Sequence, residues 1–249
     1  MEWVKDFYTK QYEWMNINDE DMLQAEEERL QHLEQFAGKS SVRKVLELGG
    51  GKGYFAVAAA RKGYDVKMIE LTENAAAYSR NLAKKYGVSE KITVIQGDFY
   101  ETALAEQFDA VCYWDGFGIG TDADQQRLLK RIRDWLKPDG TALIDIYTPW
   151  FWAKAAGQRM ELGSGMIRAY DFDAHNCRML DAWWELGNEV SKVVQSLRCY
   201  SPADLKLLLS GMDIEISHCE PGGAMDYDAW QYHKKVPLGE AMGYLAVLK

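Results

Sequence analysis

Short apolar segments alternate with longer amphipathic ones through the first half of the chain. The short segments have the length of β-strands, and the stretches between them carry apolar residues at helical spacing, as at Leu128, Leu129 and Ile132. Strands that alternate with helices in this way favour a parallel sheet with helices on both faces. The pattern predicts strands over residues 44–48, 66–69, 92–95, 110–114 and 141–147.

Capping and stop residues delimit the predicted helices. Residues 19–36 carry apolar positions at helical spacing among many acids and are followed by Gly38, so they predict one long amphipathic helix. Thr121 and Asp124 have the spacing of a capping pair at the start of a later helix. Ser201, followed by proline, predicts another helix start.

The alternation stops after residue 147. Residues 148–176 are rich in aromatic residues and glycine, and we interpret them as a cover over the active site instead of a sheet element. Residues 178–186 and 189–199 predict two strands of an antiparallel hairpin, because Gly187-Asn188 between them suits a tight turn with positive φ angles. Two final strands are predicted near residues 213–219 and 242–248.

The composition narrows the class of protein. With 249 residues, 47% of them hydrophobic, the chain can bury a full core as one large α/β domain. A net charge of -9 opposes a phosphate-binding surface, so we expect no nucleic-acid partner. Four scattered cysteines favour the reducing cytoplasm over a disulfide framework. Neither a signal peptide nor a membrane-spanning apolar run is evident, so we expect a soluble protein and no membrane partner.

A glycine-rich loop follows the first predicted strand. Gly49, Gly51 and Gly53 come directly after this strand and precede a helix. Glycines at such a turn let the backbone approach a ligand that side chains would obstruct. By itself the loop also fits a tight turn that binds nothing. A dinucleotide dehydrogenase is the other alternative, but its usual spacing puts the third glycine where Tyr54 stands.

Polar and aromatic residues end the next three predicted strands. Glu70 ends the second strand, where a carboxylate can accept hydrogen bonds from both hydroxyls of a ribose. Asp98 and Phe99 follow the third strand and offer a carboxylate and a ring edge to adenine, and Trp114 ends the fourth. Each residue alone has an ordinary structural explanation. Together they lie where open α/β sheets bind ligands, at the carboxyl ends of successive strands.

In this order the motifs resemble the class I S-adenosylmethionine (SAM) dependent methyltransferase family over residues 43–147. The matching motifs are Glu47-x-Gly49-x-Gly51-x-Gly53 for the first motif of the family, Glu70 for its ribose-binding acid, Asp98 for its adenine-binding acid, and residues 136–140 for the turn before its fifth strand. The resemblance implies an α/β fold, with a Rossmann-like, mostly parallel sheet of seven strands flanked by helices and with the last strand inserted antiparallel.

The resemblance also implies a cofactor and its ligands. The cofactor is SAM, and the product after methyl transfer is S-adenosylhomocysteine. The cofactor-binding residues that it implies are Glu47, Gly49, Gly51, Gly53, Glu70, Leu71, Asp98, Phe99 and Trp114.

We predict a single methyltransferase domain over residues 1–249. Near its N-terminus a cluster of aromatic residues predicts a lid over the cofactor, the alternative being a helix packed permanently on the sheet. The cluster consists of Trp3, Phe7, Tyr8, Tyr12 and Trp14. The predicted parts are an N-terminal helical lid (1–38), the SAM-binding core (39–147), the substrate cover with its antiparallel hairpin over the active site (148–200), and the C-terminal helix and strands (201–249).

Methyl transfer needs an acceptor held in line with an activated methyl group, and it needs no nucleophilic side chain of the enzyme. Asp115 and Tyr147 follow or end predicted strands and can orient the acceptor, and His175 lies beside Asp171 and Asp173, where a general base can act. The alternative for each is a structural or surface role. The four histidines lack metal-ligand spacing, so no metal is expected. The candidate walls of an acceptor pocket are Phe117, Trp150 and Tyr170.

The sequence therefore predicts a SAM-dependent methyltransferase that acts on a nitrogen or oxygen of a small molecule or short peptide by direct in-line displacement. Nitrogen is favoured, because Asp115, Asp171 and Asp173 can attract an amine. The alternatives are a SAM-binding sensor or interaction protein without transferase activity and, disfavoured by the glycine spacing, a nicotinamide oxidoreductase. The natural acceptor and the oligomeric state have no signature in the sequence.

Overall fold

The computed structural model describes residues 2–15, 18–38, 43–163 and 165–249. The chain divides into two compact units, each built from separate stretches of sequence. The first unit comprises Met1–Met15, Asp115–Gln126 and Asp145–Ala246, and the second comprises Asn16–Trp114, Arg127–Ile144 and Val247–Lys249.

The elements are numbered in chain order. The helices are α1 (Glu2–Trp14), α2 (Asp19–Ala25), α3 (Glu27–Ala37), α4 (Tyr54–Arg61), α5 (Glu73–Lys85), α6 (Asp122–Trp135), α7 (Pro149–Ala155) and α8 (Pro202–Leu208). The strands are β1 (Lys44–Leu48), β2 (Asp65–Glu70), β3 (Ile92–Gln96), β4 (Phe108–Tyr113), β5 (Leu136–Tyr147), β6 (Arg159–Leu162), β7 (Met166–Asp173), β8 (Arg178–Glu185), β9 (Asn188–Arg198), β10 (Ile216–Pro221), β11 (Ala224–Asp226), β12 (Gln231–His233) and β13 (Gly243–Leu248).

The main sheet has seven strands in the order β10-β13-β5-β4-β1-β2-β3. β1 pairs in parallel with β2 and β4, and the pairs β2–β3 and β4–β5 are parallel as well. The prediction of a mostly parallel, Rossmann-like sheet of seven strands is confirmed. β13 lies between β5 and β10, so the last strand is inserted into the sheet as expected.

Burial on both faces explains why the central strand β1 is almost wholly apolar. Val45, Leu46 and Leu48 have no exposed surface, and a strand covered on two sides is typically a continuous apolar run. The predicted capping pair at the start of α6 is confirmed, since Asp124 accepts the Thr121 N–H at 2.9 Å and Thr121 accepts the Asp124 N–H at 3.2 Å.

Strand β5 begins earlier than the sequence predicts. Leu136 already pairs with Phe108, and the register then shifts before Thr141 pairs with Ala110. The extra residues on β5 include Pro138, which has no N–H for a sheet ladder, so they form an irregularity. The turn predicted at this point is therefore part of the strand.

The single long helix predicted over residues 19–36 is wrong. Two helices, α2 and α3, are separated at Glu26. The Asn18 side chain caps α2 by accepting the N–H of Glu20 at 2.8 Å. α3 has Glu27 and Glu28 in its first turn, where acids interact favourably with the positive end of a helix dipole.

The segment 148–176, predicted to lack sheet structure, contains α7 and two strands. β6 and β7 join β8 and β9 in a four-stranded antiparallel sheet with the order β6-β7-β8-β9. The predicted hairpin is therefore only the β8–β9 half of this sheet, with Glu185 opposite Asn188 at its turn. The aromatic residues of β7 fit a pocket wall as well as a strand, so the sequence alone did not indicate this strand.

The N-terminal helix α1 packs on this antiparallel sheet within the first unit. Phe7 has no exposed surface, and the Gln195 side chain of β9 donates a hydrogen bond to the Tyr8 hydroxyl at 2.7 Å. Lys10 donates to the Ser191 carbonyl at 3.1 Å. The segment predicted as one helical lid is thus divided between α1 in the first unit and α2 with α3 in the second.

β11 and β12 pair antiparallel in a small hairpin that the sequence did not predict. Within the described residues, no helix combines the length and the apolar character needed to cross a membrane.

Candidate functional site

The glycine loop in the second unit leaves β1 in a conformation that side chains rarely adopt. Gly49, Gly51 and Gly53 all have positive φ, at 61°, 56° and 80°. A Cβ built on Gly53 would lie 2.1 Å from the Ser79 hydroxyl oxygen, so only glycine fits against α5. The positive φ angles and the close packing on Ser79 therefore explain the glycines of this loop, whose N–H groups at positions 49, 51 and 53 donate to Ile69, Glu70 and Gly50.

Glu70 fixes this loop from the end of β2. Its Oε2 accepts the N–H of Gly51 at 2.9 Å, and its Oε1 accepts the N–H and the hydroxyl of Thr72 at 2.8 and 2.7 Å. The side chain is nearly buried, at 3% exposure. A carboxylate has about four acceptor positions. Three of them are used here, so Glu70 can hold this loop and still accept one hydrogen bond from a ligand hydroxyl.

Glu47 is the one buried acid of β1. Its carboxylate accepts the backbone N–H of Ala56 in the first turn of α4. Its other oxygen, Oε2, has no hydrogen-bond partner within the described residues. Burial, followed by the repulsion of Glu26, raises the pKa of Glu47 well above its usual 4.5. A cationic donor beside Oε2 would satisfy the orphan atom and favour the charged form.

The end of β3 forms a short turn with an aromatic surface. Asp98 accepts the Tyr100 N–H at 2.8 Å, and Arg131 holds the turn by donating to the Phe99 carbonyl at 3.0 Å. The Phe99 ring lies edge-on to Tyr113, with centroids 5.4 Å apart. Leu71, next to Glu70, is half-buried. A carboxylate with a ring beside it suits an adenine amino group and its ring.

Trp114 directly follows β4 and is buried among side chains of the second unit. Its ring packs edge-on against Phe55, with centroids 5.0 Å apart, and the guanidinium of Arg29 lies 5.5 Å from its ring centre. Arg29 also forms an ion pair with Glu26 at 3.1 Å. The sequence prediction missed both charged residues, because an acid-rich amphipathic helix ordinarily has a solvated polar face.

Asp115 and Tyr147, predicted to orient the acceptor, are hydrogen-bonded to each other in the first unit, with the Tyr147 hydroxyl donating to Asp115 Oδ1. Asp115 is exposed and has a left-handed backbone with φ of 57°, a strained state for a residue other than glycine. Burial, followed by the negative charge of Asp115, raises the pKa of Tyr147 well above its usual 10.0. The hydroxyl therefore keeps its proton and remains a donor at neutral pH.

Aromatic rings extend from Tyr147 across the antiparallel sheet. Tyr147 contacts Trp152 edge-on at 5.3 Å, and Trp152 contacts Tyr170 edge-on at 5.0 Å. Arg168 lies over the ring of Tyr170 at 4.8 Å and forms a two-point ion pair with the buried carboxylate of Asp181 at 2.9 and 2.7 Å. Among the predicted wall residues, Tyr170 thus belongs to a connected aromatic cluster.

The remaining predicted acceptor residues lie in different surroundings. Phe117 has no exposed surface and packs on Tyr200 with centroids 5.5 Å apart, as a core residue does. Trp150 is half-buried, and its indole N–H has no partner within the described residues. His175 lies in the exposed turn between β7 and β8, where its backbone N–H donates to Asp173 at 3.0 Å. Within the described residues, no cluster of ligating side chains could hold a metal.

Comparison with known proteins identifies the core. A family model of a methyltransferase domain matches residues 45–140, which span the glycine loop, Glu70, Asp98 and Trp114. These residues, which are less than half of the chain, therefore match a methyltransferase domain. Its boundaries agree with the part of the chain on which the sequence motifs lie.

Relatives of this methyltransferase domain include a protein arginine N-methyltransferase from Oryza sativa subsp. japonica. The two are 33% identical over 101 residues, which cover 39% of this chain and 26% of that protein. The match to a protein of the same description from subsp. indica covers 25% of that protein. The chain thus matches about a quarter of the length of these curated relatives.

Solved structures resemble the chain over most of its length. A SAM-dependent methyltransferase from Clostridium acetobutylicum ATCC 824 has a TM-score of 0.69 at 14% identity, covering 94% of this chain and 92% of that one. A SAM-bound amino pentose methyltransferase from Micromonospora echinaspora has a TM-score of 0.62 at 16% identity, covering 97% and 96%. These likenesses show that the fold of the methyltransferase domain extends through the chain.

The residues of the second unit fit the parts of SAM. Glu70 has a fixed carboxylate that would suit the hydroxyls of a ribose, and the turn at Asp98 and Phe99 would suit adenine. Glu47 has a buried oxygen that lacks a donor, and the methionine end of SAM carries an ammonium group. The methyltransferase domain therefore has a matching group for each part of the cofactor.

Proposed function

We propose that the chain is an enzyme that transfers a methyl group from SAM to a nitrogen atom of a small molecule. The cofactor part rests on Glu70, which joins the glycine loop to the end of β2 through its hydrogen bond from Gly51 at 2.9 Å. SAM, when bound, supplies a methyl group already activated on a sulfonium. The protein has to position the acceptor and exclude water.

The exposed carboxylate of Asp115 is the observation that favours an amine acceptor. Tyr147 binds its Oδ1 and so fixes the orientation of the carboxylate. We assign Oδ2 to the N–H of the acceptor. A protonated amine is attracted to this charge but must lose a proton before its lone pair can attack, and Asp115 or water takes that proton. Tyr147, whose pKa is raised, remains the donor that holds Asp115 in place.

In the aromatic cluster, Trp152 and Tyr170 are buried, and the half-buried ring of Tyr147 beside Asp115 is the one that we assign to a small organic acceptor. Aromatic faces bind apolar rings and alkylammonium groups, and few polar groups are then needed to fix orientation. The names of two similar proteins agree with a nitrogen-bearing acceptor, since one is described as an arginine N-methyltransferase and the other as an amino pentose methyltransferase. We extend only the coarse property to this chain, an acceptor that carries basic nitrogen.

A matched panel of acceptors tests the proposal. Purified protein is incubated with SAM and with pairs of small molecules that differ only in an amine or a hydroxyl, and formation of S-adenosylhomocysteine is measured. We expect turnover on amines, and we expect Asp115→Asn to lower kcat/KM by about 10- to 100-fold, because it loses a charge-assisted contact. The exposed Asp213→Asn is the matched control and should not change turnover.

Three results would count against parts of this proposal. Turnover on hydroxyl compounds alone would contradict the choice of nitrogen. An unchanged rate for Asp115→Asn would remove Asp115 from the mechanism. Tight SAM binding with no turnover on any member of the panel would favour the alternative, a SAM-binding sensor or interaction protein.

A further inference from the structure

One arginine on the antiparallel sheet is held by an acid and two aromatic rings within the first unit. Arg168 of β7 forms a two-point ion pair with Asp181 of β8, at 2.9 Å through Nε and at 2.7 Å through Nη2. Its guanidinium carbon lies 4.8 Å from the ring centre of Tyr170 and 4.7 Å from that of Trp183. Two parallel hydrogen bonds and two rings fix the orientation of a planar guanidinium, as a single contact would not.

Strand register places these four side chains on one face of the sheet. Arg168 is directly opposite Trp183, and Tyr170 is directly opposite Asp181. Side chains that are opposite each other in antiparallel strands, or two residues apart in one strand, project from the same face. The side chain of Asp181 is 1% exposed and that of Arg168 is 29% exposed. The acid of the pair is therefore buried, while the base remains accessible to a ligand.

The guanidinium has N–H groups that its ion pair does not use. Arginine has five N–H donors, and Asp181 accepts one from Nε and one from Nη2. The two N–H groups of Nη1 and the second of Nη2 have no acceptor within the described residues. The edge formed by Nη1 and Nη2 is therefore free to bind a group from outside the chain.

Ring contacts join this arginine to the acid that we assign to the acceptor nitrogen. Trp152 contacts Tyr170 at 5.0 Å and Tyr147 at 5.3 Å, and Tyr147 binds Asp115. Burial and Asp115 raise the pKa of Tyr147, and the positive charge of Arg168 opposes them, as a cation near that hydroxyl does. A fixed cation and a fixed anion thus belong to one cluster of the first unit.

The chemistry of the open edge favours a carboxylate. One N–H from Nη1 and one from Nη2 are parallel, and such a fork binds the two oxygens of a carboxylate together. Asp181 already balances the charge of Arg168, so a group with one negative charge fits better than a phosphate with two. The neighbouring rings exclude water from part of the guanidinium and so strengthen its hydrogen bonds to an anion.

We propose that Arg168 binds a carboxylate of the acceptor whose nitrogen is bound by Asp115, so that the substrate is a small amino carboxylic acid. This inference rests on the proposed methylation of an amine and narrows the acceptor to a zwitterion. Asp181 is a positioning residue, because it holds one edge of the guanidinium and leaves the other edge to the substrate.

Matched ligands separate the carboxylate from the rest of the acceptor. Amino acids with α, β or γ amines, each paired with its carboxamide, and aminoethyl phosphate are measured for turnover with SAM. Their binding is measured by calorimetry in the presence of S-adenosylhomocysteine.

Two variants and one control are compared with wild type. Arg168→Lys keeps the charge beside Asp181 but loses the fork. The double variant Arg168→Met/Asp181→Leu removes both charges and leaves no buried acid unpaired. The control is Arg159→Met, because Arg159 of β6 is exposed and lies 5.1 Å from the ring centre of Trp184, on the opposite face of the same sheet.

We expect wild type to prefer at least one amino acid to its carboxamide by about 10- to 100-fold in kcat/KM and in affinity. This ratio should fall by about 10-fold or more in both variants and stay unchanged in Arg159→Met. The ratio is the decisive quantity, because a variant that is partly unfolded loses activity toward both ligands equally. The inference is overturned if wild type does not distinguish the two ligands, or if the double variant keeps the preference. Preference for aminoethyl phosphate over β-alanine would overturn the choice of a carboxylate.

The two readouts distinguish failure of this inference from failure of the proposed function. Turnover on amines without a preference for a carboxylate would overturn the role of Arg168 and leave N-methylation standing. Binding of amino acids that depends on Arg168, without turnover of any amine, would overturn the proposed function and leave the carboxylate site standing. Neither binding nor turnover of any ligand by wild type would overturn both.

Discussion

At the scale of single residues, two buried acids of the methyltransferase domain differ in how completely the fold satisfies their hydrogen bonds. Glu70 is held by three hydrogen bonds from its own fold, whereas Glu47 is buried with one oxygen unpaired. The fold fixes the orientation of the Glu70 carboxylate. Glu47 is a buried acid whose charged form the fold stabilises poorly. This difference makes Glu47 the more sensitive reporter of the site.

The stability of the protein should depend on pH through Glu47. Because its pKa is higher in the folded state than its usual 4.5, the folded state binds the proton more tightly. The stabilisation that results is complete below about pH 4.5 and is lost as the pH rises through the folded pKa. Glu47→Gln lacks this loss, so its free energy of unfolding should exceed that of wild type increasingly as the pH rises above about 4.5.

Urea unfolding at several pH values measures this effect in the absence of cofactor. The exposed Glu73→Gln is the control and should follow the wild-type profile. Parallel profiles for Glu47→Gln and wild type would show that the folded state does not raise the pKa of Glu47. That result would contradict the burial of this acid without a partner for Oε2.

The candidate site residues that could be predicted from the sequence are those whose spacing reports the local backbone structure. Gly49, Gly51, Gly53 and Glu70 follow strands directly, and their spacing reports the turn that they form. The position of Arg29 could not be predicted in this way, because one Glu-x-x-Arg spacing in a helix fits a solvated ion pair as well as one packed against Trp114. Only the tertiary position of α3 distinguishes the two.

At the scale of secondary-structure elements, Asp19 links α2 to α4 and α5 through several hydrogen bonds. Asp19 accepts hydrogen bonds from the hydroxyls of Tyr54 and Tyr78 and from Lys85, at 3.1 Å for Tyr54 and 2.7 Å for Lys85. Burial alone would raise the pKa of Asp19, but the bonds from Lys85 and the two tyrosines outweigh it, and the pKa is lowered. α2 is therefore bound most firmly when Asp19 is ionised.

We expect Asp19→Asn to loosen α2 from α4 and α5. The stabilisation by the charge is present above the usual pKa of 3.8 and is lost as the pH falls through the lower, folded value. At neutral pH the variant should therefore exchange the amide hydrogens of α2 about 10-fold faster than wild type, the loss of a charged hydrogen bond being of order 1.5 kcal/mol.

Asp21→Asn is the matched control, because it removes an exposed acid from the same first turn of α2. Equal exchange rates in the two variants would show that Asp19 acts only through the helix dipole, and not through its contacts with Tyr54, Tyr78 and Lys85.

The elements that the sequence predicted poorly are those whose pattern has two meanings. β7 places Arg168, Tyr170 and Phe172 on one face. The two closely spaced aromatic residues among them fit a pocket wall as well as a strand. α2 and α3 share one amphipathic pattern, which does not show the break at Glu26. In both cases the local pattern allows two structures, and contacts between residues distant in sequence determine which one forms.

At the scale of the whole molecule, the two units differ in how much of them can be predicted. The second unit contains repeated strand-helix units, whose order dictates a parallel sheet. The first unit gathers residues 2–15, 115–126 and 145–246 from distant parts of the chain. No spacing rule joins such segments, so the packing of α1 on the antiparallel sheet and the hydrogen bond between Asp115 and Tyr147 became visible only in the fold.

Calorimetric titration with SAM and S-adenosylhomocysteine tests the central claim most directly. We expect micromolar binding by wild type, on the order of -8 kcal/mol. We expect its loss in a folded Glu70→Ala variant, because that change removes the carboxylate that we assign to the ribose and that binds the glycine loop. The exposed Glu73→Ala should bind as wild type does. No binding by folded wild type, or unchanged binding by Glu70→Ala, would contradict the assignment of this site to SAM.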